Sequence, residues 1–500
     1  MIVKVAFTRV FIATVLLLFP LNVSVDGASK TNKSKPMNVL FIVCDDLNNH
    51  LGCYGYKQVR SPNIDRLASE SMRFDNFYCQ YPVCNPSRSS FLTGLRPDTT
   101  GIFSQSGPMR ENLPEVVALP QCFKDQGYWT AVVNKFFHDR QNDGDRSWDV
   151  RKHFDDARNP VIVKARQEFE DKHGSINEAK NREAWSKKKH SVRDLAHGQT
   201  PPGYGPTNMA DEEQGDGKAV KQIIRWLENK AYGDKPFFIG WGIQKPHIPH
   251  FVPQKYFDLY PLDSFRFPPQ PTDDLKDVPQ IAITNRYKLY GDPVVTDATL
   301  RKVTAAYYAC ITFIDTQVGL LLDTVKRLGL EENTIIVFTS DNGYLLGEHG
   351  LLEKAMLFEE SARIPLIMWV PGKTRPGSAC KRLVEFVDIY PTLADLCGVK
   401  PPENLEGISF VPLLTMPDRP WKLGAFTMTT RSRRVLIGRS VRSEQWRYME
   451  WGDPEVNELY DHVNDPHEYK NLAKIPKYAE QVRRMRELLH GGWKKALPPK

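Results

Sequence analysis

The sequence predicts an α/β protein: a mixed, mostly parallel central sheet flanked by helices, followed by a smaller C-terminal α+β subdomain. Two observations carry this. Short continuous apolar runs recur along the first 400 residues, among them Asn38–Cys44, Tyr128–Val133, Pro236–Trp241, Thr334–Thr339 and Ile364–Val370, with helical patterns between them. Such runs read as strands buried on both faces, the mark of parallel sheets covered by helices. After about Lys400 the apolar pieces shorten and alternate, as in Val435-Leu436-Ile437 and Trp446-Arg447-Tyr448-Met449, which fits half-exposed antiparallel strands. The 500 residues, 41% of them hydrophobic, suffice for a large core. The expected organisation is a leader over 1–28, a main domain over 36–400 and a subdomain over 401–500.

Lys4 and Arg9 precede an apolar stretch, Val10 to Leu21, and small residues follow at Val25, Gly27 and Ala28. This is the pattern of a cleaved secretory signal. The stretch is shorter than the ~20 residues a spanning helix needs, and Pro20 interrupts it, so an exported protein without stable membrane association is expected. An oxidising compartment would permit one or two disulfides among the eight cysteines, without fixing their pairing. No CxxC pair exists, which argues against zinc-finger and thioredoxin chemistry. The net charge of +7 suits attraction of an anionic substrate. Arg431, Arg433, Arg434, Arg439, Arg442 and Arg447 form a basic cluster suited to an acidic polymer.

Taken in order, the elements deliver chemistry at their ends. The first run ends in Asp45-Asp46, two adjacent carboxylates that repel each other unless a cation lies between them. Ser61-Pro62 starts a helix. Cys84-Asn85-Pro86-Ser87-Arg88 then reads as a nucleophile presented where a loop enters a helix. Leu119 to Asp125 is helical, and the strand Tyr128–Val133 delivers Lys135 and His138. Residues 151–207 are charged and irregular, with Lys187-Lys188-Lys189, and read as a long insertion across the site face. An amphipathic helix over Asp211–Asn229 precedes the strand that delivers His247 and His250. Pro246 and Pro249 keep those histidines off one helical face, so the zincin pattern does not apply. A long helix, Leu300–Leu328, leads to the strand that ends in Asp341-Asn342-Gly343, which is good turn chemistry and equally an oxygen donor set. Lys354 follows, and Phe386–Leu396 and Lys477–Leu489 are the remaining helices. Ligands of open α/β sheets gather at strand carboxyl ends, which places these residues on one face.

The Cys84 stretch, which continues Ser89-Ser90-Phe91-Leu92-Thr93-Gly94, resembles the signature of the formylglycine-dependent sulfatases of the alkaline phosphatase superfamily. Val59-Arg60-Ser61-Pro62-Asn63-Ile64-Asp65, Arg96-Pro97-Asp98-Thr99-Thr100, Lys245-Pro246-His247-Ile248-Pro249 and Leu346-Gly347-Glu348-His349-Gly350 look most like the iduronate-2-sulfatase branch. The resemblance implies an alkaline-phosphatase-like fold and oxidation of Cys84 to Cα-formylglycine by a maturation enzyme. It implies one divalent cation, Ca2+ or else Mg2+, held by Asp45, Asp46, Asp341, Asn342 and position 84. Iduronate enzymes can carry His where Asn342 stands. By the same resemblance Arg88 pairs with the hydrated aldehyde, Lys135 and Lys354 neutralise sulfate oxygens, His138 orients or deprotonates the diol, and His247 or Lys354 protonates the leaving oxygen. His349 is supporting or structural. Arg442 and Trp446 are candidate sugar contacts. The implied substrate is a sulfated saccharide carrying 2-O-sulfate on uronic acid, with no nucleic-acid partner. A phosphate or phosphonate monoester hydrolase of the same superfamily and a silent glycan-binding protein are the alternatives.

Overall fold

The computed structural model of the chain describes residues 36–498 apart from 140, 155–159, 177, 179, 182, 186–187, 189–202, 269, 284–294 and 432–435. The expected leader, Arg433, Arg434, Lys187 and Lys189 therefore lie outside the described residues.

Eight strands make the large sheet: β1 Asn38–Asp45, β2 Met72–Tyr78, β3 Trp129–Asn134, β4 Val150–Lys152, β5 Phe237–Pro246, β6 Thr334–Ser340, β7 Leu366–Trp369 and β8 Ser378–Glu385. Their order is β8-β2-β7-β6-β1-β5-β3-β4. Only β7 is reversed; it pairs antiparallel with β6 and β2, and every other neighbouring pair is parallel. That single strand makes the sheet mixed. β1 lies near the middle, with Phe41 opposite Gly240 on one side and Val337 on the other. Its side chains alternate between two cores. Leu40, Ile42 and Cys44 face helices α1 (Pro62–Glu70), α3 (Gly215–Glu228) and α4 (Asp297–Arg327). Val39, Phe41 and Val43 face α2 (Cys84–Thr93) and α5 (Ile389–Cys397). Burial on both faces explains the unbroken apolar run.

The 31-residue α4 begins where the Thr296 hydroxyl accepts a hydrogen bond from Thr299 N at 3.1 Å. It is long and apolar enough to cross a membrane, yet 83% of its most apolar window is buried in the protein.

One expectation about the main domain needs correction. Residues 151–207 are not irregular throughout, since Pro160–His173 is a helix whose Ala165 and Phe169 pack on Trp185. Lys164, Arg166, Glu168, Glu170 and Asp171 crowd its apolar positions in the sequence, which hides the helical period. All eight cysteines are free, six of them buried, so neither of the permitted disulfides forms.

The C-terminal sheet is antiparallel throughout, with β9 Ala425–Arg431, β10 Leu436–Arg442, β11 Trp446–Trp451 and β12 Asp453–Asp461 in sequential order. Helix α6 (Ala479–Lys495) covers one face, where Val482, Met485 and Leu489 meet Val441, Tyr448 and Leu459. The described arginines of the basic cluster are not an open patch. Arg447 is 0% exposed and bonds the carboxylates of Glu359 and Glu468. Arg442 is buried 3.5 Å from Glu359, Arg439 pairs with Asp98, and Arg431 stacks over Trp451. Trp446 packs under α6 against Tyr478. Arg442 and Trp446 thus both take part in the subdomain's packing. Alternating polar and apolar residues in a strand reveal its two faces, but not which face another part of the chain covers.

Candidate active site

The carboxyl ends of β1, β3, β5 and β6 meet over the N-terminus of α2. Cys84 is the first residue of α2, and every residue of that helix is buried. Val83 cannot cap the helix, and Asn85 N finds its partner in Gln105 Oε1 at 3.0 Å. Arg88 lies one turn on. Its Nε donates to Asp341 Oδ2 at 2.8 Å, a second nitrogen lies 3.6 Å from Asp45 Oδ1, and a third donates to the carbonyls of Lys135 and Phe136. One guanidinium therefore ties three strand ends together.

The chain turns sharply as it leaves β1 and β3. Asp46 has φ 66°, a left-handed conformation that aspartate tolerates. Tyr307, on α4, donates to Asp46 O and accepts from Asn48 N at 2.9 Å, which fixes that turn. Asn134, at φ 60°, starts the loop that carries Lys135 and His138. Asn142 braces this loop: its Oδ1 accepts from Phe136 N and Phe137 N at 3.1 and 2.8 Å, and its Nδ2 donates to Asn134 O at 2.7 Å. Asp216, at the start of α3, accepts from Gln244 N and Lys245 N just before His247. The loop lies close on β5, because a Cβ on Gly242 would fall 1.9 Å from the Lys135 carbonyl oxygen. Sequence reasoning passed over Tyr307, Asn142 and Asp216. Asn142-Asp143-Gly144 carried a turn signal, and Asp216 sits in a helix's first turn. Nothing marked Tyr307 within an apolar helix.

Ligand atoms of Asp45, Asp46, Cys84 and Asp341 all lie within 4.8 Å of one another. Lys135 Nζ bonds Asp45 Oδ2 at 2.6 Å, while Lys354 Nζ donates to Asp46 and lies 2.8 Å from Cys84 Sγ. His247 Nε2 is 3.7 Å from Asp46 Oδ2, and 32% of the His247 side chain is open to solvent. Asn342 Nδ2 donates to Asp46 Oδ1 and to Gly343 O, both at 2.9 Å. The Oδ1 atoms of Asp45 and Asn342 are buried without a hydrogen-bond donor, as is His138 Nδ1 without a partner. His349 stands apart from this cluster, with Nδ1 3.0 Å from Asp274 and its ring stacked on Phe358.

The electrostatics follow from burial and from these pairs. Burial alone would raise Asp45, but Lys135, His247, Arg88 and Lys354 hold it well below the ordinary carboxylate range. Asp341 goes the other way, to about 6, because burial and its neighbours Asp45 and Asp46 outweigh Arg88. Burial and Asp45 push the Cys84 thiol up, so it stays protonated. His138 is lowered to about 3 by burial and Lys135, and is a neutral imidazole. Asp46, with Asp45 and Asp341, keeps Lys354 charged against the effect of burial.

Residues 37–399 match the family model described as Sulfatase, and residues 347–495 match one described as N-sulphoglucosamine sulphohydrolase, C-terminal. A protein named "Sulfatase" from Formosa agariphila is 32% identical over 469 residues, covering 90% of this chain and 86% of its own. Human iduronate 2-sulfatase is 32% identical over 510 residues, covering 86% of this chain and 88% of its own. The solved phosphonate monoester hydrolase of Agrobacterium radiobacter superposes with a TM-score of 0.75 at 22% identity, covering 92% of this chain and 96% of that one. The fold is alkaline-phosphatase-like, and the chain belongs to the sulfatase family, the sulfuric ester hydrolases.

Proposed function

We propose that the protein hydrolyses 2-O-sulfate esters on uronic-acid residues of sulfated glycans, with position 84 as nucleophile in its formylglycine form beside a divalent cation. One observation carries this reading: Cys84 Sγ lies within 4.8 Å of the carboxylate oxygens of Asp45, Asp46 and Asp341. A working cysteine nucleophile needs a depressed pKa, whereas burial and Asp45 push this thiol up against the opposing effect of Lys135 and Lys354.

The residues fit a hard cation. Asp45, Asp46, Asp341 and Asn342 offer only oxygen, and two of those oxygens are buried acceptors with no donor. Such a set suits Ca2+, with Mg2+ the alternative. Three carboxylates face three permanent cations, Arg88, Lys135 and Lys354, so a divalent ion leaves the site positive and receptive to a sulfate ester.

Hydrated formylglycine supplies a pair of hydroxyls, one to attack sulfur and one to lose its proton as sulfate departs, while the cation lowers the pKa of what it binds. The chain's own residues do the rest. Lys135 and Lys354 present ammonium groups to the charge that builds on the sulfate oxygens. Arg88 fixes Asp341 and Asp45 and holds the turn of α2 above them. His138, neutral and with Nδ1 unpartnered, accepts a proton from the diol. His247, the open group on the rim, or Lys354 hands a proton to the sugar oxygen as the S–O bond breaks. Burial lowers the pKa of His247 and its Nδ1 donates to Ile248 O, so a proton on its Nε2 requires the imidazolium form. Export, as the N-terminal residues suggest, would bring the protein to extracellular glycan, and a formylglycine-generating enzyme would be needed first.

The relation to iduronate 2-sulfatase supports the choice of substrate, although Asn342 departs from the histidine those enzymes can carry. Turnover on a panel of defined saccharides, each with one sulfate position, tests the proposal, with aryl sulfate and aryl phosphate as references. Release of sulfate from a non-reducing 2-O-sulfated uronate at the highest kcat/KM is expected. Preference for aryl phosphate, or for hexosamine 6-O-sulfate, would overturn it.

A further inference from the structure

The pairing of β1 with β5 slips at the site. Leu40 to Cys44 stand opposite Ile239 to Ile243 in order, but the next residue, Asp45, stands opposite Pro246. β5 therefore carries two residues, Gln244 and Lys245, opposite which β1 has none. Bulges of this kind end a ladder beside active sites and re-aim the side chain that follows. Here that side chain is His247. Its backbone N–H turns back to Gln244 O at 3.1 Å, and its Nε2 comes to 3.7 Å from Asp46 Oδ2.

The two extra residues bring two backbone N–H groups out of the ladder, where a buried donor without an acceptor is costly. Both go to one side chain. Asp216 Oδ1 accepts from Gln244 N at 3.0 Å and Oδ2 from Lys245 N at 3.1 Å, with Gln244 N also 3.2 Å from Oδ2. Asp216 is 0% exposed and is the second residue of α3, where the helix dipole favours a carboxylate. The support is firm on both sides of the bulge. Ala219, Val220 and Ile223 of α3 are buried in the core with Ile239 and Trp241 of β5, and Lys245 Nζ ties the far side of the turn to Pro249 O at 2.6 Å. The same carboxylate reaches Asn134 Nδ2 at 3.4 Å, on the residue before Lys135.

We propose that Asp216 is a positioning residue for sulfate-ester hydrolysis: by holding the β5 bulge it sets where His247 stands over the strand-end cluster. The proposal rests on the reading of His247 as a working group of the site. Its test is a double-mutant cycle in the full-length matured enzyme, with Asp216→Asn, His247→Gln and the pair combined. The substrate is the fastest sulfate ester of the panel above, aryl sulfate included. Asn keeps the side-chain shape and one acceptor oxygen. In Asp216→Asn alone, kcat/KM per folded molecule should fall about tenfold, and by less than about twofold where His247 is already Gln. Hydrogen exchange at the Gln244 and Lys245 amides should rise in Asp216→Asn while β1 stays protected. Asp216→Ser, smaller and also able to accept once, is read the same way should the amide not fold. An equal loss in both backgrounds, as a merely structural residue gives, overturns the proposal, and so does unchanged exchange at the two amides. The two readings fail separately. Full activity in His247→Gln removes the role of His247 and the proposal with it. An impaired His247→Gln beside an additive or silent Asp216→Asn removes the proposal alone.

Discussion

Two buried clusters of charge divide this molecule's labour. One is the strand-end cluster around Cys84. The other lies where the C-terminal sheet meets the main domain, where Arg447, fully buried, bonds Glu359 and Glu468, and His462 lies 2.8 Å from Glu468. Residue types are similar, yet the pairing differs. In the second cluster both Glu359 oxygens have donors, from Tyr78 and Arg447, and Glu468 also accepts from Glu359 N. At the strand ends, Asp45 and Asn342 each keep an oxygen without a donor, and the gaps from Arg88 to Asp45 and from His247 to Asp46 are 3.6 and 3.7 Å. Glu359 and Glu468 thus keep no oxygen to spare, the atoms without a partner there being donors, Arg442 Nε and Arg447 Nε, and the cluster clamps the C-terminal sheet to the main domain. Open pairing reserves oxygens for something that arrives later.

The sharpest way to break this contrast is to remove the nucleophile. Cys84→Ala should abolish sulfate release while the melting temperature stays near that of the wild type. Retained turnover would place the chemistry elsewhere. Chelation should come next in size. Dialysis against a strong chelator should drop activity by at least about a hundredfold, and added Ca2+ should restore it; the same treatment should leave the clamp's contribution to stability untouched. Cutting the clamp should do the reverse. Arg447→Met leaves Glu359 and Glu468 short of a buried partner, and a loss of about 3–5 kcal/mol in denaturant unfolding is expected, with kcat per folded molecule preserved.

Acid should separate the clusters too. His250, buried near the strand ends, has its pKa lowered to about 3 by burial and Lys245. A histidine with a depressed folded pKa stabilises the fold above its unfolded value, about 6.5, and that stability is lost as pH falls toward 3. Glu359 and Glu468 are held below the ordinary range despite burial, so their contribution survives until pH falls below the unfolded carboxylate value, about 4.3. His250→Gln should therefore flatten the decline in stability between about pH 6.5 and 4.5 and leave the steeper loss below it. The smallest effect belongs to Arg439→Ala. Its pair with Asp98 is surface-exposed, so stability should move by no more than about 0.5 kcal/mol. An unchanged KM for glycan would confirm that this arginine does not bind substrate.

The contrast also shows what a sequence reveals. Asp45, Asp46, Lys135, Asp341 and Asn342 were legible because each follows a run apolar on both faces, and topology sends such runs' ends to one edge. Cys84 and Arg88 were legible through their motif. The arginines of the C-terminal sheet misled, because charge is visible in a sequence while its partner is not. Arg447 reads as a basic patch until Glu359, 88 residues earlier, is found against it. Tyr307, Asn142 and Asp216 stayed hidden for the same reason, since each acts through a backbone group far along the chain or around a turn. The helix Pro160–His173 was hidden by the charged residues between its apolar positions.

The central claim is that position 84 works as an aldehyde and not as a thiol. Mass spectrometry of the peptide holding residue 84, from enzyme matured in a host that carries the converting activity, tests it directly. The account predicts the mass of an aldehyde in place of the thiol, capture by a hydrazide, and specific activity in proportion to the converted fraction. A fully active preparation with an unmodified thiol at Cys84 would contradict it.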